Sequence, residues 1–223
     1  MICLTIPRFQ TVPHQLSFPL FTITATMAPI PSEKKKPIGN VLIIGGCGFL
    51  GHHIVNLLHS SYSSTISVID LHTNRNRRPD SDGVKYFDGD ITNLSSLIPI
   101  FESIKPDVVI HTASPNLMGA SNALYQKVNV EGTKCVIEAC QKTNVKALVY
   151  TSSASIISDN ASDLINADER WPVIPPKAQT EYYSTTKVRS SLPLHTLLPI
   201  CPLHTSTKPT TDMFPTHRQK PKL

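Results

Sequence analysis

Val41-Leu42-Ile43-Ile44-Gly45-Gly46-Cys47-Gly48-Phe49-Leu50-Gly51 joins an apolar run to a glycine turn and then to a segment of helical periodicity. Four consecutive apolar residues stopped by glycine suit a strand covered on both faces, and Ile54, Val55, Leu57 and Leu58 give the next segment the apolar face of a helix. Strand, turn and helix in this order make a phosphate cradle, because the first N–H groups of a helix have no partner inside it. Gly45 lets the chain turn off the strand, Gly48 lets backbone approach the phosphates, and Gly51 lets the helix pack closely on the sheet. The spacing is G-x-x-G-x-x-G rather than G-x-G-x-x-G, so the flanking strand and helix carry more of the reading than the glycines do.

Outward from this stretch, strands are expected at Asn40–Gly45, Thr65–Asp70, Val84–Asp88, Asp107–Ala113 and Lys146–Ser152. Helices are expected at Phe49–Ser60, Leu94–Ile104, Tyr125–Thr143 and around Tyr182–Ser190, with a kink or an early end at Pro99. Strands alternating with helices demand a parallel sheet with right-handed crossovers, so the expected class is α/β, a doubly wound Rossmann sheet. The domain is expected over residues 38–190, after a disordered extension at 1–37. Within that extension Pro7, Pro13 and Pro19 interrupt the apolar stretches, which makes a poor signal or transit peptide, and Met27 offers an alternative start of translation.

At 223 residues, 40% apolar and 17% charged, the chain fits a soluble globular class with one full core, and no run reaches the roughly 18 apolar residues of a membrane span. The net charge of +5 is dispersed, and no basic stripe interleaved with aromatics points to nucleic acid. Lys34-Lys35-Lys36 and Arg75 to Arg78 read as solvated clusters with a capacity for phosphate. Five cysteines without a C-x-x-C pair argue against zinc and against a disulfide scaffold, and favour a reducing, cytoplasmic compartment. Cys47, inside the turn, reads as a small packed residue.

The second strand ends in Asp70, where such folds set a carboxylate against the adenosine ribose. That favours NAD; Arg75, Arg77 and Arg78 in the next loop keep NADP open. Asp90 and Ile91 fall beside the adenine pocket, Asp90 also being a cap for the next helix together with Thr92. Ala113 and Ser114 close the fourth strand at the cofactor crevice, while His111 reads as a packed, hydrogen-bonded residue rather than an acid or base. Tyr183 and Lys187, four apart, share one helix face. A phenol of pKa about 10 can take an alcohol proton near neutral pH only if a cation stabilises the phenolate, which Lys187 would supply while also binding the nicotinamide ribose of the cofactor. Ser153, at the end of the fifth strand, would reach the substrate oxygen from the other side.

These residues resemble the extended short-chain dehydrogenase/reductases, more closely their 3β-hydroxysteroid dehydrogenase branch, and within it the decarboxylating C-3 sterol dehydrogenases of sterol-4α-carboxylates. The segments that carry the resemblance are Gly45–Gly51, Val68–Leu71, Asn76–Asp80, Asp88–Thr92, Asp107–Pro115, Val128–Thr133, Ala147–Ala154, Ile165–Glu169 and Tyr183–Lys187. The resemblance implies oxidation of a 3β-hydroxyl on a sterol substrate, with Tyr183 as base, Lys187 lowering its pKa, Ser153 holding the oxygen and Asn129 holding a water linked to the lysine. Oxidation beside a carboxylated carbon makes a β-keto acid, which loses its carboxylate readily. Within the fold the alternative is a dihydroflavonol- or nucleotide-sugar-type reductase. A homodimer and peripheral contact with the endoplasmic reticulum surface are compatible with this reading.

Past Lys187 the resemblance fails. Residues 191–223 contain six prolines from Pro193 to Pro221 and no long periodic apolar segment, so they are expected to be a disordered tail outside the family pattern, as after a frameshift or retained intron. Since the family builds its sterol pocket largely from the part that should come next, weak or absent sterol oxidation is expected of the chain as written. Two further readings stay open: a dinucleotide-binding module without catalysis, and an inactive fragment.

Overall fold

The computed structural model describes residues 35–116, 119–168 and 171–191. Nearly all of the expected extension and tail lie outside the described residues. Five strands, β1 (Lys36–Ile44), β2 (Tyr62–Asp70), β3 (Lys85–Asp88), β4 (Val108–His111) and β5 (Ala147–Tyr150), pair in parallel in the order β3-β2-β1-β4-β5. The helices are α1 (Phe49–Ser61), α2 (Leu94–Ile104), α3 (Asn122–Tyr125), α4 (Thr133–Lys142) and α5 (Tyr182–Ser191). The sheet therefore has the doubly wound α/β topology, and its order reverses between β1 and β4. In such sheets the crevice beyond the strand ends at that point is where ligands bind.

Burial follows strand alternation. Val41 and Ile43 of β1 point to one face, with Ile66 and Val68 of β2 and Val55 and Leu58 of α1. Leu42 and Ile44 point to the other, with Ile69, Val109, Leu97, Phe101, Val136 and Cys140. Because β1 is covered on both sides, four consecutive apolar residues are needed there, and all four are 0–1% exposed.

Several boundaries differ from the sequence reading. β1 begins at Lys36, ahead of the expected domain start, because Lys36 and Pro37 continue the pairing onto Tyr62 and Ser63 of β2. β4 stops at His111 rather than Ala113. There Thr112 turns its N–H and its Oγ1 onto the Ile44 carbonyl, both at 2.8 Å, which ends the regular ladder. α2 does not end at Pro99 but runs on to Ile104. The donor lost at Pro99 is offset by Leu97 and Phe101, both fully buried on either side of it, and by a good start. That start is Asn93, whose side chain accepts from Ser96 N; it replaces the expected cap at Asp90 and Thr92. Asp90 Oδ1 instead accepts from Thr92 N at 2.9 Å, a local turn before the helix.

The helix expected over Tyr125–Thr143 is present, but α3 and α4 are joined by a π-helical turn, Gln126–Gly132, centred on Asn129. A π turn inside a helix changes the direction of the side chains on either side of it.

Candidate functional site

A cleft of about 360 Å³ opens where the ends of β1, β2 and β4 meet the start of α1. Of the residues read from the sequence as a cofactor site, Gly45, Gly48, Phe49, Leu50, Gly51, Asp70, Asp90, Ile91, Ala113 and Ser114 line it, and Lys187 does not. Gly45 has φ +82°, which a residue with a side chain adopts only with strain, and its N–H donates to Ile69 O at 2.8 Å. At Gly51 an added Cβ would collide with the Gly45 carbonyl and with Gly46 Cα, so the first turn of α1 lies directly on the strand end. Gly48 precedes α1 without a side-chain cap, and the first turn carries no acidic residue. Its N–H groups therefore face the cleft as donors for an anion. Phe49, at 83% exposure, is the most exposed large apolar side chain among the described residues and stands at the mouth.

The turn is held from behind. Asp70 Oδ2 accepts from Cys47 N at 3.0 Å and Oδ1 from Leu71 N at 2.8 Å; Asn76 Nδ2 donates to Cys47 O at 2.8 Å. Cys47 is fully buried, and burial, then the Asp70 charge, pushes its thiol up to about 11, so it is neither nucleophile nor redox-active thiolate at neutral pH. Of the three arginines, only Arg75 lines the cleft. Arg77 pairs with Asp80 at 3.0 Å and lies over the Tyr86 ring, and Arg78 pairs with Asp82 at 2.7 Å. Sequence reading did not single out Asn76 or Thr112 as supports of the turn, since their partners lie 29 and 68 residues away. Thr112, Leu71, Leu124 and Val128 also line the cleft.

Beside the cleft a second set of groups converges on α5. Asn129, 2% exposed, is presented by the π turn: its Oδ1 accepts from Ser114 Oγ and its Nδ2 donates to Thr186 Oγ1, both at 3.0 Å. Thr186 Oγ1 in turn donates to Tyr183 O at 2.7 Å. Asn129 thus ties the cleft wall to the helix that carries Tyr183 and Lys187. Tyr183 is half-buried, with its ring edge-on to Tyr125 at 5.5 Å. Lys187 is 2% exposed and donates to Thr151 O at 2.8 Å, with its ammonium 4.6 Å from the centre of the Tyr150 ring. Burial lowers its pKa to about 8, which still leaves it mostly charged at neutral pH. Ser153 Oγ accepts from Ser155 N at 3.2 Å at the start of the short 3₁₀ turn Ala154–Ile157, beyond the end of β5.

His111 is packed, in agreement with the sequence reading: it is 1% exposed, with Nε2 3.1 Å from Thr133 Oγ1 and its ring edge-on to Tyr150 at 5.5 Å. Its Nδ1 has no hydrogen-bond partner among the described residues. Burial, helped by the Lys187 charge, lowers its pKa to about 3, so it is neutral and unsuited to proton transfer near pH 7.

A model of the 3-beta hydroxysteroid dehydrogenase/isomerase family matches residues 42–191. Over 152 residues the chain is 41% identical to the decarboxylating sterol-4-alpha-carboxylate 3-dehydrogenase of Schizosaccharomyces pombe, an alignment covering 68% of this chain and 43% of that protein. It is 40% identical over 158 residues to its counterpart in Candida albicans, covering 68% and 44%. Among solved structures, UDP-glucose 4-epimerase of Thermus thermophilus in complex with NAD superposes with a TM-score of 0.59 at 28% identity, covering 70% of this chain and 49% of that one. The chain thus spans less than half the length of these curated relatives. From the middle of β1 to the last residue of α5, the chain belongs to the 3-beta hydroxysteroid dehydrogenase/isomerase family.

Proposed function

We propose that this protein is of the NAD-dependent 3β-hydroxysteroid dehydrogenase kind, the C-3 dehydrogenase of a 4α-carboxylated sterol, with weak turnover expected of the chain as written, which spans less than half the length of its curated relatives. The observation that carries the reading is the convergence of the uncapped start of α1, Asp70 and the end of β4 on one cleft, with Asn129 linking its wall to the helix of Tyr183 and Lys187. The cradle fits a dinucleotide: the pyrophosphate on the N–H groups after Gly48, the adenosine ribose at Asp70 and the adenine between Asp90 and Ile91. NAD in that cleft supplies the acceptor for the hydride that leaves C3.

The chain's own groups do the rest. Tyr183 Oη takes the hydroxyl proton, Lys187 contributes the positive charge that favours the phenolate, and Ser153 Oγ holds the substrate oxygen. Asn129 and Thr186 keep the Tyr183 turn of α5 in place. The product is a 3-ketone beside a carboxylated carbon, and the carboxylate departs as carbon dioxide because its electrons pass into the enolate. Asp70 in the cleft favours NAD over NADP because its carboxylate would repel a 2′-phosphate; Arg77 and Arg78 are paired with aspartates, and only Arg75 is left on the cleft to oppose that preference. No helix among the described residues is long and apolar enough to cross a membrane; a sterol substrate would favour work at the endoplasmic reticulum surface by peripheral contact.

The test follows NADH formation with a 3β-hydroxysterol 4α-carboxylate, alongside NAD binding measured by calorimetry. Tyr183→Phe should bind NAD as the parent does and lose roughly 100-fold or more in turnover. Equal turnover in both proteins would remove Tyr183 from its role. Binding without turnover in either would leave a dinucleotide-binding module, a reading favoured by the engagement of Ser153 Oγ and the Lys187 ammonium with neighbouring groups.

A further inference from the structure

Among the described residues Lys187 has two partners, and neither is Tyr183. One is the Thr151 carbonyl; the other is the face of the Tyr150 ring, with Nζ 4.6 Å from its centre. Tyr150 is itself fixed at both ends. Its hydroxyl lies 2.6 Å from Ser190 Oγ, one turn beyond Lys187 on α5, and His111 packs edge-on against its ring. Ser190 Oγ is also within reach of the Thr186 and Lys187 carbonyls, at 2.9 and 3.1 Å. The last residue of β5 is thus tied to the turn of α5 that carries the lysine.

We propose that Tyr150 is a positioning residue for Lys187: its ring face carries the buried ammonium, and its bond to Ser190 keeps that face under Nζ. The role of Lys187 in catalysis rests on the function proposed above; the support of the ammonium by the ring does not. An ammonium removed from water strongly disfavours its charged form, and a ring quadrupole facing it returns part of the lost stabilisation. Tyr150 does not compete with Tyr183 as the base. Burial raises the Tyr150 phenol to about 12, and the bond to Ser190 offsets this only partly. The other ionisable groups around α5 are His111 on β4, Tyr125 on α3, and Tyr182 and Tyr183 on α5 itself, while Arg189 of α5 and Lys127 and Glu131 of the π turn are exposed. Among the described residues no carboxylate is hydrogen-bonded or paired to Lys187, which leaves the ring and the Thr151 carbonyl to hold the charge.

The experiment replaces Tyr150 with phenylalanine and with ring-fluorinated phenylalanines of increasing substitution, which keep the shape and drain the ring face. The Lys187 ammonium is titrated by NMR in the full chain labelled on lysine, with Lys187→Arg to assign the signal. Phenylalanine keeps the ring face but loses the bond to Ser190 and should lower the titration slightly, and each added fluorine should move it further down, by roughly 0.5–1.5 pH units in all. A titration that stays flat across the fluorinated series overturns the proposal. Tyr150→Leu, where it folds, should match the most fluorinated ring. The readout needs no substrate, so absence of turnover in the parent counts against the dehydrogenase and leaves the platform standing, while a flat titration in an active enzyme does the reverse.

Discussion

Acid should loosen this fold well before its carboxylates protonate, and His111 is the reason. Its folded pKa of about 3 lies below the ordinary 6.5, so the neutral ring is the form that the folded chain accepts. The sign follows from proton counting: at mildly acidic pH the unfolded chain binds a proton that the folded chain refuses, so stability falls as pH falls. The contribution is intact above the unfolded value, declines through the window between 6.5 and about 3, and is gone below it. From the two pKa values, about 2 kcal/mol is lost by about pH 5 and about 5 kcal/mol in the limit of low pH, to order of magnitude. The carboxylates do not blur the upper part of this window. Hydrogen bonds from Thr73 hold Asp88 below its ordinary range, and those from Lys146 and Asn40 do the same for Asp107, so their contributions are lost only at lower pH. Urea unfolding at neutral pH and near pH 5, followed by far-ultraviolet circular dichroism and by the fluorescence of half-buried Trp171, reads the loss directly. For a slope of about 2 kcal/mol per molar, the midpoint should drop by about 1 M in the parent. His111→Gln and His111→Leu have no such titration and should show little of the drop, whatever their stability at neutral pH. Equal drops in parent and variants would refute the reasoning.

Gly51→Ala drives a methyl into the Gly45 carbonyl and Gly46 Cα, backbone atoms that cannot rotate away. It should cost about 1–3 kcal/mol or more in thermal or urea unfolding and abolish NAD binding by calorimetry. Lys187→Met should do the opposite to stability while stopping turnover. A lysine whose pKa falls from 10.5 to about 8 on folding destabilises the fold below the folded value, and that cost fades as pH rises toward 10.5. The methionine variant should therefore be more stable than the parent at neutral pH, by up to about 3 kcal/mol before the lost Thr151 bond and ring contact are deducted. The advantage should vanish in unfolding curves taken near the upper end of that range.

Much of the sheet was legible because its signal is local. β1 and β4 carry apolar runs set between turn residues, β2 closes in Ile66-Ser67-Val68-Ile69 before Asp70, and α2 has the expected limits, Leu94–Ile104. That a glycine turn, an acid at a strand end and the end of β4 share one cleft was legible for the same reason, since they are short stretches whose fold fixes their mutual place. The features that escaped reading are held by long-range bonds. Thr112 on the Ile44 carbonyl, Asn76 on the Cys47 carbonyl and Tyr150 on Ser190 join residues whose neighbours in sequence carry no trace of the partner. The spacing of Tyr183 and Lys187 correctly put both on one helix, but it did not reveal that the ammonium rests on Tyr150 and Thr151. Pro99 misled because propensity speaks for the exposed helix, whereas here buried Leu97 and Phe101 decide.

The π turn at Gln126–Gly132 has a bearing on how this protein can change. An α-helix advances about 100° per residue, so one residue added to a single turn breaks the phase between the helical segments on its two sides. Tyr125 can then answer to Tyr183 on α5 while Val136, Ala139 and Cys140 answer to the core beneath the sheet. Mutations that repack the core from α4 need not rotate the stripe that meets α5, and those that retune the α5 contact need not disturb the core. A helix with two phases decouples the evolution of the site from the evolution of the scaffold.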